Sequence, residues 1–243
     1  MHQGRYKIAG HSVKIVSMYK EIHRMCEQYE TTEQQELSVS TYPEDIILER
    51  DQSEAEDKKE GNPIRTYSEE YLETLAVYRK LSELFVHHNI LLFHGSVIAV
   101  DGQGYLFTAK SGTGKSTHTR LWRGLFGEKA IMVNDDKPLL HITEKGITAY
   151  GTPWDGKHHL SSNISVPLRA IGILRRDNTN HIERIDKSLA YPMLLQQTYR
   201  STNPVTMIRI LALLDRLAAN TGLFELRCNM EPEAALVAYE GMK

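Results

Sequence analysis

Tyr105-Leu106-Phe107-Thr108-Ala109-Lys110-Ser111-Gly112-Thr113-Gly114-Lys115-Ser116-Thr117 stands near the middle of the 243-residue chain. It is a strand-like run that turns into a phosphate-loop pattern, with Ala109 where the first glycine usually stands. Ser111, Gly112, Thr113 and Gly114 allow a turn tight enough to aim successive backbone N–H groups inward. Lys115, Ser116 and Thr117 then open a helix whose positive end joins them, a cradle suited to polyphosphate. In such a cradle Lys115 reaches the β and γ phosphates and the Ser116 hydroxyl ligates the Mg2+ that bridges them. The helix carries Leu121, Trp122 and Leu125 on an apolar face and stops at Gly127. These residues predict an α/β protein that binds a nucleotide together with Mg2+, the base of the nucleotide staying open at this level.

The strand pattern around the loop narrows the topology. Ile90 to Val100 is strand-like, Asp101-Gly102-Gln103-Gly104 has a turn composition, and Tyr105 to Ala109 is strand-like again. Strands joined by so short a link are antiparallel neighbours, because a parallel return needs a crossover of about a dozen residues or more. The next strand, Ala130 to Val133, ends in Asn134-Asp135-Asp136. A carboxylate at the end of the strand beside a phosphate loop can hold Mg2+ or its water shell. A second, adjacent carboxylate adds a group that can take a proton from an attacking hydroxyl, since a neighbouring anion and partial burial raise one pKa of such a pair.

Taken together, His94-Gly95-Ser96-Val97, the turn, the loop and Asn134-Asp135-Asp136 resemble the catalytic domain of HPr kinase/phosphorylase. There a histidine-glycine pair lies on the strand before the hairpin leading to the phosphate loop, and an Asp-Asp pair ends the following strand. Ser111 to Lys115 with a downstream Asp-Asp is also similar to ATP-dependent phosphoenolpyruvate carboxykinase, which shares that nucleotide-binding architecture. Over residues 65 to 240 the chain resembles the HPr-kinase-related proteins that include precursor-peptide kinases of peptide-natural-product clusters. The resemblance implies a mixed β-sheet around the phosphate loop. It also implies Lys115 as the phosphate-binding lysine, Ser116 and Asp136 on the metal, Asp135 or Asp136 as the base, and His94 positioning the base or the phosphates. The implied reaction is transfer of the γ-phosphoryl group of Mg-ATP to a Ser or Thr hydroxyl of a peptide or small protein, and the resemblance raises homo-oligomeric assembly.

One segment departs from that family. Where HPr kinases carry a Glu-x-Arg-Gly-x-Gly-Ile signature, this chain has Tyr150-Gly151-Thr152-Pro153-Trp154-Asp155-Gly156-Lys157, without the Glu. Two glycines and a proline make a tight loop, Trp154 offers a flat apolar face, and Lys157 brings positive charge to meet the substrate or the transferred group. His158 and His159 are adjacent and lack a further ligand, which argues against a metal pair.

Outside the centre the sequence reads as scaffold. Thr66 with Glu69 makes a capping box for a helix running to His88. Leu168 to Arg175 and Leu223 to Cys228 are strand-like, while Ser188 to Tyr199, the stretch opened by Asn203-Pro204, and Glu231 to Met242 are helical. Before these, Tyr6 to Ser17 and Ser38 to Leu48 are strand-like around a helical stretch from Met18 to Tyr29. Glu49 to Gly61, almost wholly charged, reads as a solvated loop or hairpin tip. The expected division is a small strand-containing lobe over residues 1–62 and the phosphate-loop kinase domain over residues 63–243.

Composition excludes several classes. Lys and Arg number 29 against 31 Asp and Glu, a net charge of −2, so nothing draws the chain globally toward nucleic acid. Cys26 and Cys228 share no metal or disulfide spacing. No apolar run approaches the ~20 residues of a membrane helix and no signal-like segment follows Met1, so a cytoplasmic protein without a membrane or nucleic-acid partner is expected. Two further functions stay open at this level: a regulatory nucleotide-binding module without phosphotransfer, and a kinase of a small-molecule hydroxyl.

Overall fold

Alternating burial along His2–Ile8 sets the first strand, with Tyr6 and Ile8 buried while Arg5 and Lys7 stay exposed. A computed structural model describes residues 1–61 and 63–243. They form two units, Met1–Leu84 and Phe85–Lys243. The expected boundary residue Asn62 lies outside the described residues, and the helical segment ending at Leu84 groups with the first unit.

In the first unit β1 (His2–Ile8) pairs antiparallel with β2 (His11–Ser17), and β2 pairs parallel with β3 (Leu37–Ser40). The short helix α1 (Glu21–Met25) lies between β2 and β3 in the chain, and α2 (Pro43–Glu60) and α3 (Glu69–Val86, to Leu84 in this unit) follow β3. Two expectations change here. Strand character ends at Ser40, because Pro43 occupies the first turn of α2, where its missing N–H costs nothing. The charged stretch Glu49–Gly61 is the rest of that helix rather than a loop. Its Glu, Lys, Gln and Ala residues are good helix formers, Lys58 and Lys59 sit at the negative end, and Gly61 closes it in the left-handed region at φ 70°. Nor is the helix wholly solvated: Glu49 and Asp57 are buried. At the start of α3 the cap is Ser68, whose hydroxyl accepts from the Tyr71 N–H at 3.3 Å, two residues past the expected Thr66.

Buried polar groups tie these elements together. The Glu73 carboxylate of α3 accepts from the N–H groups of Met18 and Tyr19 at 2.7 and 2.8 Å and from the Thr41 hydroxyl at 2.6 Å. Asp45 of α2 accepts from Lys80 at 2.5 Å and Arg79 at 3.2 Å, and Arg79 also reaches Glu49 at 2.5 Å.

The second unit is a mixed sheet with helices on both faces. Its elements are β4 (Ile90–Leu92), β5 (Ser96–Val100), β6 (Gln103–Thr108), α4 (Lys115–Phe126), β7 (Ala130–Asn134), β8 (Leu139–Thr143), β9 (Gly146–Tyr150), β10 (Ser165–Arg176), β11 (His181–Arg184), α5 (Lys187–Gln197), α6 (Pro204–Asn220), β12 (Gly222–Cys228) and α7 (Glu233–Met242). As expected, β5 and β6 are antiparallel neighbours, joined through Asp101 and Gly102 at φ 51° and 76°, the positive values that a two-residue hairpin needs. β10 joins the sheet's two halves. Its first residues pair antiparallel with β9, Leu168–Ile173 pair parallel with β6, and Ala170–Arg176 pair parallel with β12.

Successive residues of the central strands enter opposite cores, so β5 is buried at every position. Val97, Ala99 and Leu106 pack with Leu194 of α5 and Leu213 of α6. Ile98, Val100, Tyr105 and Phe107 pack with Trp122 of α4 and Ala238 of α7. Among the described residues no helix is long and apolar enough to cross a membrane.

Candidate active site

β6 delivers the chain to one edge of the sheet at Thr108, and the loop 109–114 turns it into α4. Gly112 and Gly114 take φ of 75° and 126°, conformations that residues with a Cβ rarely adopt, and this is what lets the loop close over so few residues. Arg176, at the end of β10, grips the loop from outside. Its guanidinium donates to the Thr113 carbonyl at 3.1 Å and also to the Gly112 carbonyl. Within the loop the Thr113 N–H donates to the Lys110 carbonyl at 3.2 Å. Lys115 donates to the Ala109 carbonyl at 3.3 Å. Burial lowers its pKa, while the negative charge of Asp136 works in the other direction.

The same edge receives the end of β7 and the segment before β5. Asn134 is fully buried, and its side chain organises both neighbouring loops. Its Oδ1 accepts from the N–H groups of Asp136 and Lys137 at 2.9 and 2.6 Å. Its Nδ2 donates to the Thr152 hydroxyl at 3.1 Å and to the Trp154 carbonyl at 3.3 Å. The histidine segment is laced to the pair: Gly95 N–H donates to the Asp136 carbonyl at 2.9 Å and the Ser96 hydroxyl to the Asp135 carbonyl at 2.8 Å. Thr108, the last residue of β6, donates its hydroxyl proton to the His94 carbonyl at 3.0 Å. His94 Nε2 then stands 3.2 Å from Asp136 Oδ1.

The two aspartates have different surroundings. Asp135 is buried and accepts from the Gly156 N–H at 2.6 Å. Burial raises its pKa, the Gly156 hydrogen bond opposes this, and the charges of Asp155 and Asp136 add to the rise. A Cβ on Gly156 would lie 2.9 Å from Asp135 Oδ2, so only glycine allows this backbone approach without displacing the carboxylate. For Asp136 burial also pushes the pKa up, but the hydrogen bond from His94 and the charges of Lys137, His94 and Lys115 outweigh it and the net shift is downward. The pair therefore titrates apart, one carboxyl more readily protonated than a free aspartate and the other held anionic beside the loop.

Lys115, His94, Asp135 and Asp136 thus meet at one sheet edge, with Ser111, Gly112, Thr113, Ser116 and Thr117 on the loop and first turn beside them. Ser116 is exposed at the start of α4. Lys157 is exposed, one residue past the Gly156 contact. Trp154 differs from expectation: it is 4% exposed, buried rather than an open face, and its carbonyl accepts from Asn134 Nδ2. His159 pairs with Asp155 at 2.9 Å. Sequence reasoning missed Arg176, which had only a strand-end position to mark it, and it named Asn134 within the aspartate motif without reading the Asx turn that this residue starts.

No group of three or more His, Cys, Asp or Glu side chains arranged for a metal occurs among the described residues. Mg2+ does not require one, since it binds through one or two carboxylates and substrate phosphates and keeps several waters. The hard oxygen donors of Ser116 and Asp136 fit that ion.

Residues 64–231 match the family described as SynChlorMet cassette protein ScmC. Comparison with curated proteins finds no match. Among solved structures, the HPr(Ser) kinase/phosphatase from Coxiella burnetii aligns with 61% of this chain and 94% of its own, at 12% identity and a TM-score of 0.33. The ScmC match spans more than half of the chain, and the chain belongs to that family.

Proposed function

We propose that this member of the ScmC family is a Mg-ATP-dependent kinase that transfers the γ-phosphoryl group to a Ser or Thr hydroxyl of a peptide or small protein. The observation that carries the reading is the meeting, at one sheet edge, of a lysine-bearing phosphate loop with an aspartate pair that His94 contacts at 3.2 Å. A module that only bound nucleotide would have use for one metal-facing carboxylate; the second, Asp135, supplies a group for a proton. The peptide or small-protein acceptor rests on the resemblance of residues 65 to 240 to precursor-peptide kinases.

In this reading the loop N–H groups and Lys115 hold the phosphate chain, and Lys115 offsets charge on the transferring group. Ser116 and Asp136 hold Mg2+, which when bound neutralises phosphate charge. The acceptor oxygen forms its bond to the γ-phosphorus as the bond from that phosphorus to the β,γ-bridging oxygen breaks. The hydroxyl proton passes to the aspartate pair and then to water, and ADP leaves with the bridging oxygen. His94 acts as a positioning residue through Asp136.

The test is transfer of label from γ-labelled ATP with Mg2+, comparing wild type with the Asp135→Asn/Asp136→Asn double variant on cell extract split into peptide and small-molecule fractions. Aspartate-dependent label in the peptide fraction is expected. Label confined to the small-molecule fraction would replace the acceptor class, and label that survives in the double variant would remove the aspartates from the chemistry.

A further inference from the structure

Strand order gives the loop two different flanks. Across this edge the strands run β12, β10, β6, β5, β7, so the loop after β6 stands between the ends of β10 and β12 on one side and the β5–β7 segments on the other. His94, Asp135 and Asp136 all belong to the β5–β7 flank. On the other flank is a cavity of 790 Å³. Gly112, Thr117 and His118 wall it from the loop and α4, Leu174 from β10, and Cys228 and Met230 from the end of β12.

Its size and place are those of a small-molecule site. Ligand pockets commonly enclose about 300–1,000 Å³, and open α/β sheets bind ligands beyond the carboxyl ends of parallel strands, the relation that β6, β10 and β12 have here. The chemistry of the lining argues against more phosphate. Arg176 already donates to the loop carbonyls, and Arg175 is paired with Glu225, which Arg227 shares, so both guanidinium groups of the lining already have acceptors. Asp177 adds negative charge, its carboxylate accepting from Thr179 at 3.2 and 3.3 Å. The rest of the lining combines Leu174, the Cys228 thiol and the Met230 thioether, a soft surface suited to the face of an uncharged ring system, with the polar residues Thr117, Asn178 and Asn229 around it.

We infer that this cavity is the subsite for the nucleoside half of the nucleotide. The nucleotide then lies along the sheet edge, with its base on the β10–β12 flank and its terminal phosphate toward the aspartates. The inference rests on the phosphate-loop reading above and adds to it an orientation and a second set of contacts.

Cys228 provides the readout. It lines the cavity and is partly exposed, whereas Cys26 is fully buried, so a thiol reagent acting on the folded chain reports Cys228. Alkylation by iodoacetamide would be followed at each cysteine by peptide mass spectrometry, alone, with Mg-ATP, and with inorganic tripolyphosphate and Mg2+. ATP binding would be measured in parallel by equilibrium dialysis. With ATP at about ten times its Kd, labelling of Cys228 should slow about tenfold, since protection follows the free fraction. Tripolyphosphate, which fills the loop alone, should leave the rate unchanged. ATP that binds without slowing the reaction overturns the subsite and spares the loop reading. Equal protection by tripolyphosphate also overturns the subsite, because loop occupancy alone would explain the effect. Absence of ATP binding overturns the loop reading and the subsite with it. A cavity-filling variant, Cys228→Phe, should weaken ATP while tripolyphosphate binds as before; undiminished ATP affinity in that variant would count against the subsite.

Discussion

Lys115 and Asp136 show at the scale of single residues how the loop and the strand end depend on each other. Each lies in the other's field, and burial would disfavour both charges if they were separated. Lys115→Ala should therefore lose ATP turnover by about 100-fold or more, the cost of removing a group that meets developing charge. Normal turnover in that variant would remove the loop from the chemistry. His94 is a different case, because in the proposed reaction it acts only through its contact with Asp136. His94→Ala should lower kcat with little change in ATP affinity, and His94→Gln, which restores an N–H donor, should recover part of the loss. Equal loss in both variants, with unchanged thermal stability, would show that more than the donor is needed. Asn134→Ala removes the acceptor of two N–H groups and the donor to the Thr152–Trp154 segment at once. Leaving those buried groups unmet costs on the order of 1–3 kcal/mol for each, so the variant should be visibly less stable in a denaturant titration as well as inactive.

Elements with strong end signals were legible in the sequence, and so was the loop. Asn203-Pro204 opens α6 as the pattern implies, its side chain accepting from Val205 and Thr206 N–H at 2.9 and 3.2 Å. Asn203→Ala should cost about 1 kcal/mol, read as a shift in the denaturant midpoint. The α2 helix was missed because its residues offer no apolar period. Its stability comes instead from Pro43, Gly61 and ion pairs to α3, which only tertiary structure makes visible. The β8–β9 hairpin escaped for the opposite reason, since short alternating runs need a partner strand to be distinguished from loop. Asp45 tests the α2 account. Burial disfavours its charge, but hydrogen bonds from Lys80, the Tyr42 N–H and Arg79, with the charge of Lys80, bring its pKa below the ordinary value. A folded pKa below the unfolded one adds stability that is present above the unfolded value and lost as pH falls through the folded one. Stability should therefore decline below about pH 4. Asp45→Asn should remove part of that slope and about 2 kcal/mol at neutral pH, both measured by denaturant midpoints across pH.

At the scale of the whole chain, the order of strands matters more than the number of helices. β5, β6 and the 170–173 part of β10 are buried and paired on both edges, so the strands that deliver His94, the loop and Arg176 are deeply set over those stretches. The proposed phosphoryl transfer would gain from that arrangement, because groups mounted at the ends of strands that do not open stay within reach of one another. β11 is the contrast: it pairs with β12 alone and is exposed along most of its length. Native-state hydrogen exchange should separate the two classes. Amides of β5, β6 and the paired part of β10 should exchange only through global opening, at a free energy of about 5–15 kcal/mol, while those of β11 exchange through local fraying at a small fraction of that. Rapid exchange in β6 or at the end of β10 would mean that the loop and Arg176 rest on a mobile support, and the loss on Lys115→Ala would then have to be interpreted as an effect on a site assembled by its ligand.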